Sequence, residues 1–525
     1  MSTRSQCQPF KIYILAARMV VFTFMLSLAA GCVKPAPNSP PWRVTPTPVL
    51  IPSQTPQADN VEQPAADPIL PTARPPGIPV STPTPDSPHQ LPTARVEVER
   101  YVVQRGDTLG TIAQKYGVDI NTIVAANQIA NPDLLEVGLE LVIPAPEGLA
   151  SGPDFKIIPD SELVAGPASA AFDLDQFIQS TRGFLKYYWE DLDGVTLTGT
   201  EVVARVAREY SVNPRLLLAL LQQEAGWLTT SDPDSSSREY PMGHIHPAYK
   251  NLYKQLAWTA NNLNRGYYLW KAGGISVWIL ADGTLISPSP TINAGTAGIQ
   301  NFYSLLFGKA EWENVVGEHG LYATYEEFFG FPFDYAVEPL TPANLTQPPM
   351  TLPFEPGTLW SFTGGPHGGW GTGSGWAAID FAPPGDALGC VTSDAWVTAI
   401  APGKIVFTNE GAVIQDLDGD DLMQTGWTVL YMHIESRDRI AAGTRVQTGD
   451  RIGHPSCEGG VSNGTHVHLA RRYNGEWIPA DRDLPFVLDG WTSAGNGVEY
   501  EGTLSKDGKT VEAWDGRIDE NQIGR

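Results

Sequence analysis

The pattern of apolar and polar positions changes character several times along the chain. Near the start, an apolar run from Met19 to Ala30 follows three cationic side chains and is too short to cross a bilayer as a mature helix. A Pro-rich stretch follows, then a short module with the pattern strand, helix, helix, strand. A long region of helical periodicity comes next, and the last third alternates short β-like segments with Gly- and Asp-rich turns. The sequence therefore predicts a multidomain α+β protein.

These changes divide the chain into seven predicted segments, with boundaries at composition shifts and Pro-rich hinges. The segments are a signal peptide (1–31), a Pro-rich linker (32–98), a small βααβ module (99–145), a mainly α-helical domain (170–337), a second linker (338–349), a mainly antiparallel β domain (350–492) and a C-terminal extension (493–525).

The first segment ends in Leu28-Ala29-Ala30-Gly31-Cys32, which resembles the bacterial lipoprotein cleavage box, although Ala29 stands where that box prefers Leu. The resemblance implies an exported protein of the cell envelope, outside the cytoplasm, anchored to a membrane through lipidated Cys32. Residues 35–94 hold 18 of the 45 prolines, a composition that favours an extended tether. An ordinary secretory signal, or an uncleaved anchor with Cys32 incidental, is the alternative.

The four cysteines can be sorted by position. Cleavage before Cys32 would remove Cys7, and lipidation would use Cys32, which leaves Cys390 and Cys457. A single pair in an exported protein predicts a disulfide. A cysteine-based metal site is the rival interpretation, but neither cysteine belongs to a CxxC pair.

Composition and charge narrow the classes of partner. The 525 residues include 34 Lys and Arg against 58 Asp and Glu, a formal charge of −24. We expect no nucleic-acid partner, because nucleic-acid binding usually requires a basic face. The 15 Trp, 18 Tyr and 18 Phe need cores in which to pack, which argues against disorder along the whole length.

The small module carries the segments Tyr101–Leu109, Asn127–Pro132 and Val137–Pro144, and across about 45 residues it closely resembles a LysM domain. The resemblance implies binding of N-acetylglucosamine-containing glycans, chiefly peptidoglycan and chitin. The implied groove lies between a turn and a loop formed by Gly106, Asp107, Thr108, Leu109, Ile129, Asn131 and Pro132. A folded spacer that no longer binds sugar is the alternative.

In the helical region, Asn213-Pro214 predicts a helix start, with Asn as N-cap and Pro in the first turn. Glu224 ends an apolar stripe on the predicted helix. If the carboxyl is desolvated, its pKa rises, which suits a general acid.

The stretch Val212–Glu224 is similar to the catalytic-Glu helix of soluble lytic transglycosylases, and Asn293-Ala294-Gly295 is similar to a later motif of theirs. Ala225 stands where that family usually has Ser, and the family's middle motif is not recognisable. The resemblance implies catalysis by Glu224. A lysozyme-like scaffold without glycan cleavage is the alternative.

The histidines of the β domain cluster by strand parity. In Thr465-His466-Val467-His468-Leu469 the two imidazoles project from one face of a strand. His433 and Asp380 lie on two other predicted strands. We predict that His433 shares a face with Tyr431 and that the polar side chains meet on the open face of a sheet. Imidazole and carboxylate are zinc ligands, so the pattern favours a zinc site.

These segments, together with Gly443–Gly453 and Ala399–Val406, resemble the lysostaphin-like zinc endopeptidases that cut peptidoglycan stems and cross-bridges. The resemblance implies Asp380 and His468 as zinc ligands. It also implies that His466 and His433 flank the metal, where they orient or deprotonate a water and stabilise the tetrahedral intermediate.

One position departs from that family. The family's first ligand is a His four residues before the Asp, and Trp376 stands there. His367, in a Gly-rich stretch, is the nearest replacement, so the expected metal set is His367, Asp380 and His468, with His454 in reserve. The run Asp416–Asp421 invites a calcium interpretation, but lacks Gly at the sixth loop position and Glu at the twelfth, which favours a hairpin turn.

The sequence thus favours a zinc-dependent endopeptidase of peptidoglycan, concentrated on the wall by its LysM domain. A non-catalytic wall-binding scaffold or activator, supported by Trp376 and Ala225, is one alternative. Glycan cleavage through Glu224 is another. A partner protein that activates the site is compatible with each of them.

Overall fold

The computed structural model describes residues 88–91, 97–104, 107–132, 134–146 and 149–525. Cys32, Gly106, the predicted signal peptide and most of the predicted Pro-rich linker lie outside these residues. Asp191–Leu197 belongs to a compact unit separate from the larger unit that holds the other described residues. Within the part of the chain described, no helix is both long and apolar enough to cross a membrane.

The small module has the predicted βααβ order. Its elements are β1 (Glu99–Val102), α1 (Leu109–Tyr116), α2 (Ile120–Asn127) and β2 (Glu140–Ile143). The two strands pair antiparallel, with Glu99 opposite Ile143. Asp119 caps α2 by accepting a hydrogen bond from the Asn121 N–H, which satisfies a donor that the helix leaves free.

The second region is mainly helical, and its first helix lies before the predicted start at residue 170. Its helices are α3 (Asp160–Leu163), α4 (Pro167–Ala170), α5 (Leu174–Ser180), α6 (Gly199–Tyr210), α7 (Pro214–Ala225), α8 (Ser235–Glu239), α9 (Leu252–Lys271), α10 (Ala294–Ser304), α11 (Lys309–Val315) and α12 (Leu321–Phe329). Its short strands are β3 (Ala150–Ser151), β4 (Trp189–Leu192), β5 (Val195–Thr198), β6 (Trp278–Ile279) and β7 (Leu285–Ser287).

Local chemistry explains the helix boundaries. The predicted start of α7 is confirmed: Asn213 accepts from the Arg215 N–H, Pro214 is in the first turn, and Gly226 ends the helix at φ 66°. A capping box between Thr198 and Glu201 starts α6. Helix α9 approaches α10 so closely that a Cβ at Gly266 would lie 2.7 Å from the Ala297 carbonyl oxygen.

The last region is rich in antiparallel strands, which confirms the α+β prediction. Its strands are β8 (Leu359–His367), β9 (Ala378–Ala382), β10 (Val397–Thr398), β11 (Gly403–Asn409), β12 (Ala412–Asp416), β13 (Trp427–Met432), β14 (Arg445–Val446), β15 (Arg451–Gly453), β16 (Val467–Tyr473), β17 (Glu476–Trp477), β18 (Val487–Leu488), β19 (Trp491–Gly495), β20 (Gly502–Lys506), β21 (Lys509–Glu512) and β22 (Gln522–Gly524).

Nine of these strands form one sheet in the order β14-β11-β12-β13-β16-β9-β8-β22, with β17 on β16. The order places β16 between β13 and β9, so the strands that carry His468 and Asp380 are neighbours, with these two residues directly opposite each other. The predicted C-terminal extension supplies β22, which pairs with β8. That extension is therefore built into the sheet.

Both faces of this sheet are covered, contrary to the expected open face. One face belongs to the main core with Tyr431 and Leu469. The other carries Ala378, Leu430 and Ala470, against which Tyr268 of α9 packs. Asp380 and His468 have the same strand parity as this second group, so they lie on the side that the helical region partly covers.

Candidate metal centre

Three side chains from the neighbouring strands β8, β9 and β16 converge. His367 Nε2 lies 2.9 Å from His468 Nδ1. Asp380 Oδ1 lies 3.3 Å from each of these two nitrogens. His367 is 2% exposed, and Asp380 and His468 are 7% exposed. The structure therefore brings together the three residues that the sequence nominated as metal ligands.

The second nitrogen of each imidazole is held by a backbone carbonyl. His367 Nδ1 lies 2.8 Å from the Gly365 oxygen, and His468 Nε2 lies 3.1 Å from the Gly369 oxygen. A carbonyl can only accept, so each of these nitrogens carries the proton and the other nitrogen presents its lone pair to the cluster. Metal-bound histidines are typically oriented in this way.

The donor set fits a metal ion. Asp380 Oδ1 is buried and has no hydrogen-bond donor within the described structure, which is costly unless a cation or proton satisfies it. Two imidazole lone pairs and one carboxylate are also the three protein ligands that a catalytic zinc typically has.

Electrostatics within the cluster favour an ionised carboxylate. Burial alone would raise the pKa of Asp380, but the neighbouring His367 and His466 hold that pKa well below its usual range. Burial lowers the pKa of His468. For His367, burial opposes the charged form, yet Asp380 outweighs it and the pKa is raised. The cluster thus offers one negative charge to a cation.

Strand pairing explains how His367 comes to lie beside Asp380 and His468, although Trp376 stands where the first ligand was expected. Strand β8 runs antiparallel to β9, with Gly364 opposite Asp380 and His367 opposite Ala378. The imidazole therefore comes from the adjacent strand, and not from a flexible Gly-rich coil as expected. Gly364 is required by the packing, because a Cβ there would lie 2.5 Å from Asp380 Oδ2.

His433 and His466 stand beside the three converging side chains, with their rings 4.5 Å apart. His466 Nε2 lies 3.8 Å from Asp380 Oδ2, and its Nδ1 lies 2.7 Å from the Gly464 oxygen. His433 Nδ1 lies 3.1 Å from the Glu458 oxygen, and burial lowers the pKa of His433 to about 3. The face predicted for His433 is wrong: it follows the end of β13 at φ 64°, whereas Tyr431 lies in the main core.

The predicted disulfide is present in the structure. Cys390 and Cys457 are bonded, with 5.7 Å between their Cα atoms. It ties the loop after β9 to the segment that holds Glu458. His454 does not join the cluster, because its ring packs on Trp396 with 3.9 Å between centroids and its Nδ1 contacts the Ala395 oxygen.

The predicted LysM groove residues divide into buried and exposed. Leu109 is 4% exposed and belongs to the module's core with Ile129 at its margin, so its side chain faces inward and is not on the expected sugar-facing surface. Asp107 accepts hydrogen bonds from the Tyr101 hydroxyl and the Gln104 N–H. The exposed residues are Thr108, Asn131 and Pro132.

Glu224 lies in the helical region at the C-terminal end of α7. Desolvation raises its pKa to about 7, while Tyr303 lowers it and Glu311 raises it. The Tyr303 hydroxyl is itself buried, and a Cβ at Gly243 would lie 3.7 Å from Glu224 Oε2. The expected rise in pKa is therefore present.

The acidic run between β12 and β13 behaves as a turn. Asp416, Asp418 and Asp420 lie close enough to share a cation, but the buried Asp416 carboxylate already accepts the N–H groups of Asp418, Gly419 and Asp421.

Sequence reasoning missed two neighbours of the candidate ligands. The Gly369 carbonyl contacts His468, and Tyr500 stacks on His367 with 4.2 Å between ring centroids. A backbone carbonyl carries no residue signature. Tyr500 lies far along the chain in a segment that sequence analysis treated as an extension.

The chain matches three family descriptions. Residues 156–343 match "LasA, N-terminal domain", residues 101–144 match "LysM domain", and residues 379–479 match "Peptidase family M23". The chain therefore contains a LysM domain and an M23 peptidase domain. The region for which a transglycosylase-like helix was expected is the one that matches the LasA N-terminal domain.

Among curated relatives, Protease LasA of Pseudomonas aeruginosa is 25% identical over 344 residues, which is 61% of this chain and 74% of that protein. N-acetylmuramoyl-L-alanine amidase XlyA of Bacillus subtilis is 32% identical over 122 residues, covering 22% and 40% respectively. Among solved structures, the M23 metalloprotease pseudoalterin from the deep sea is 24% identical, covers 35% of this chain and 100% of that one, and has a TM-score of 0.27.

Proposed function

We propose that this chain, a metalloendopeptidase of the M23 type directed to peptidoglycan, uses zinc held by His367, Asp380 and His468 to hydrolyse peptide stems or cross-links of the wall. The observation that carries the proposal is the convergence of His367 Nε2, Asp380 Oδ1 and His468 Nδ1 within 3.3 Å of one another. Backbone carbonyls hold the other nitrogen of each imidazole, His367 Nδ1 and His468 Nε2. The two nitrogens that face the cluster are therefore oriented for a cation.

When bound, zinc supplies a Lewis acid for the scissile carbonyl and lowers the pKa of its water toward neutrality. The remaining chemistry belongs to the chain. The Gly464 carbonyl fixes the proton of His466 on Nδ1 and the Glu458 carbonyl does the same for His433. His466 then presents Nε2 as a proton acceptor, which can take a proton from the attacking water and return it to the leaving amine. His433, whose pKa burial lowers to about 3, stays neutral and is suited to orienting that water.

Product analysis on purified sacculi tests the proposal. The wild-type full chain is expected to release peptides with new amino groups, whereas His468→Ala is expected to release none and to lose zinc. Turnover retained in His468→Ala would contradict the site assignment, since His468 supplies one of the three converging donors.

The location of the substrate follows from the domain content. The LysM domain would hold the enzyme on glycan and raise its effective concentration near the peptides. The relative named Protease LasA and the LysM match support a secreted, wall-associated protein. Sacculus binding by an Asn131→Ala, Thr108→Ala double variant tests the groove. We expect binding to be lost, because both side chains are exposed and available to the glycan.

We further propose attachment to a membrane through lipidated Cys32, which lies outside the described residues. Its support is the sequence box around Cys32. Release of a Cys32→Ala variant from the membrane fraction is expected, and unchanged membrane association would contradict the anchor.

A second activity, glycan cleavage through Glu224, is favoured by one observation, the pKa of about 7 that burial gives this carboxyl. At neutral pH a large fraction stays protonated, as a general acid requires. Anhydro-sugar products that disappear in Glu224→Gln would support this activity, and their absence from wild-type digests would exclude it.

A further inference from the structure

The loop that joins the first two proposed ligand strands follows one proposed ligand, His367, and contacts another, His468. Residues 368–376, called here the Gly-rich loop, follow His367 directly and lead into β9 with Asp380. Within this loop, the Gly369 oxygen accepts from His468 Nε2 at 3.1 Å. The position of the loop therefore affects the orientation of the His468 imidazole.

Helix α9 of the helical region holds the far end of this loop. Asn261 Oδ1 accepts from the Gly373 N–H at 2.9 Å, and Asn261 Nδ2 donates to Thr372 Oγ1 at 3.2 Å. The backbone is in direct contact as well, since a Cβ at Gly373 would lie 1.8 Å from the Asn261 carbonyl oxygen.

The alternate glycines of the loop follow from this contact. A Cβ at Gly371 would lie 2.6 Å from Asn261 Oδ1, and one at Gly375 would lie 3.1 Å from Tyr268 Cδ1. Both contacts are with side chains of α9. The sequence Gly371-Thr372-Gly373-Ser374-Gly375 is thus fitted to the surface of a helix in another domain, and not to the demands of a flexible coil.

A second route leads from the helical region to Gly369. The Trp477 ring lies beneath Gly369, where a Cβ would be 2.3 Å from Trp477 Cε3. The Trp477 backbone N–H donates to the Tyr268 hydroxyl at 2.9 Å, and its indole Nε1–H donates to the Tyr210 backbone carbonyl oxygen at 3.3 Å. Gly369 is thereby held between Trp477 and His468.

We propose that the helical region is a positioning element of the metal site, and that Asn261 is a positioning residue which holds the Gly-rich loop so that Gly369 fixes the Nε2–H tautomer of His468. The metal-facing Nδ1 lone pair of His468 then depends on a side chain from another domain. This inference rests on the proposed metal site. It adds that contact with the helical region helps to hold that site in order.

The experiment uses the full chain in five forms: wild type, Asn261→Ala, Asn261→Asp, Asn262→Ala and Gly373→Ala. Asn262 is the matched control, because it lies on the same helix and donates to the Trp258 carbonyl of that helix. Zinc affinity is measured by chelator competition. The tautomer of His468 is measured in the metal-free protein by nitrogen-15 NMR of the imidazoles.

Asn261→Ala is expected to weaken zinc binding about tenfold, the lower end for loss of an outer-sphere contact, and to mix the two tautomers of His468. Asn261→Asp keeps the acceptor for the Gly373 N–H and is expected to behave like wild type, as is Asn262→Ala. Gly373→Ala, which drives the loop off α9, is expected to give a larger loss than Asn261→Ala.

Wild-type affinity together with a wild-type tautomer in Asn261→Ala would overturn the inference. An equal loss in Asn262→Ala would also overturn it, because the effect would then be general to the helix. Failure of the wild-type chain to bind zinc would overturn the proposed function instead. In that case the tautomer in the metal-free protein still tests the role of Asn261.

Discussion

Two carboxyl groups in this molecule are both desolvated, yet their acidities move in opposite directions. Asp380 lies among His367, His466 and His468, and its pKa falls well below the usual range. Glu224 lies beside Tyr303, without comparable compensation, and its pKa rises to about 7. Burial acts in the same sense on both, so the difference comes from neighbours. An ionised carboxylate among imidazoles suits a cation, and a protonated one suits proton donation.

The largest expected effect tests the metal side of this comparison. Asp380→Ala removes the carboxylate that faces both ligand imidazoles, and we expect peptide hydrolysis to fall by a factor of about 10⁴ or more, as a catalytic metal supplies several kcal/mol of stabilisation. Zinc content and release of amino groups from sacculi measure it. Asp386→Ala, at an exposed position after β9, is the control, and an equal loss there would mean that the effect is not specific to Asp380.

The second effect concerns the disulfide that braces the loops of the metal side. Cys390 and Cys457 are 67 residues apart, and in the chain-entropy model a loop of that length contributes about 4 kcal/mol. We expect the double variant Cys390→Ser, Cys457→Ser to lower the free energy of unfolding of the β domain by up to that amount. Urea unfolding measures it. No change would mean that the bridge is dispensable for stability.

The third prediction concerns the pH dependence of the free energy of unfolding that Glu224 causes. The pKa of Glu224 is about 7 in the folded protein against an ordinary value of 4.5 for a glutamate, so the folded state binds the proton more tightly. The corresponding stabilisation is complete below pH 4.5 and is lost as pH rises toward 7. Glu224→Gln should flatten this slope, leaving the variant more stable than wild type at alkaline pH by up to about 3 kcal/mol.

Urea unfolding on both sides of that pH window checks the slope. Glu327→Gln serves as the control. It also removes one carboxyl, but from an exposed site on α12. A pH slope that survives in Glu224→Gln would assign the pH dependence to another group.

The smallest expected effect is a loss of zinc affinity when the Asp380 carboxylate is displaced. Gly364→Ala places a methyl group 2.5 Å from Asp380 Oδ2 and should displace the carboxylate without deleting it. We expect about tenfold weaker zinc binding, typical of a disturbed contact next to a ligand. Chelator competition measures it, and wild-type affinity would show that the site tolerates the shift.

The comparison also shows what the sequence could predict. Strand parity was enough to bring Asp380, His466 and His468 to one place, and the Asn213-Pro214 start of α7 followed from capping alone. The covered sheet face, the position of His433 after β13 and the integration of β22 were not predictable. They depend on contacts between segments distant in sequence and on a positive φ at His433. The periodicity of the sequence predicts neither the long-range contacts nor the positive φ.

The most direct test of the central claim is the zinc content of the purified full chain and of its His367→Ala variant, measured by elemental analysis without chelators. We expect about one zinc per wild-type chain, as a catalytic site with three protein ligands requires, and almost none in the variant, with His454→Ala retaining wild-type content. A wild-type chain that takes up no zinc after reconstitution, or a His367→Ala variant that keeps its zinc, would contradict it.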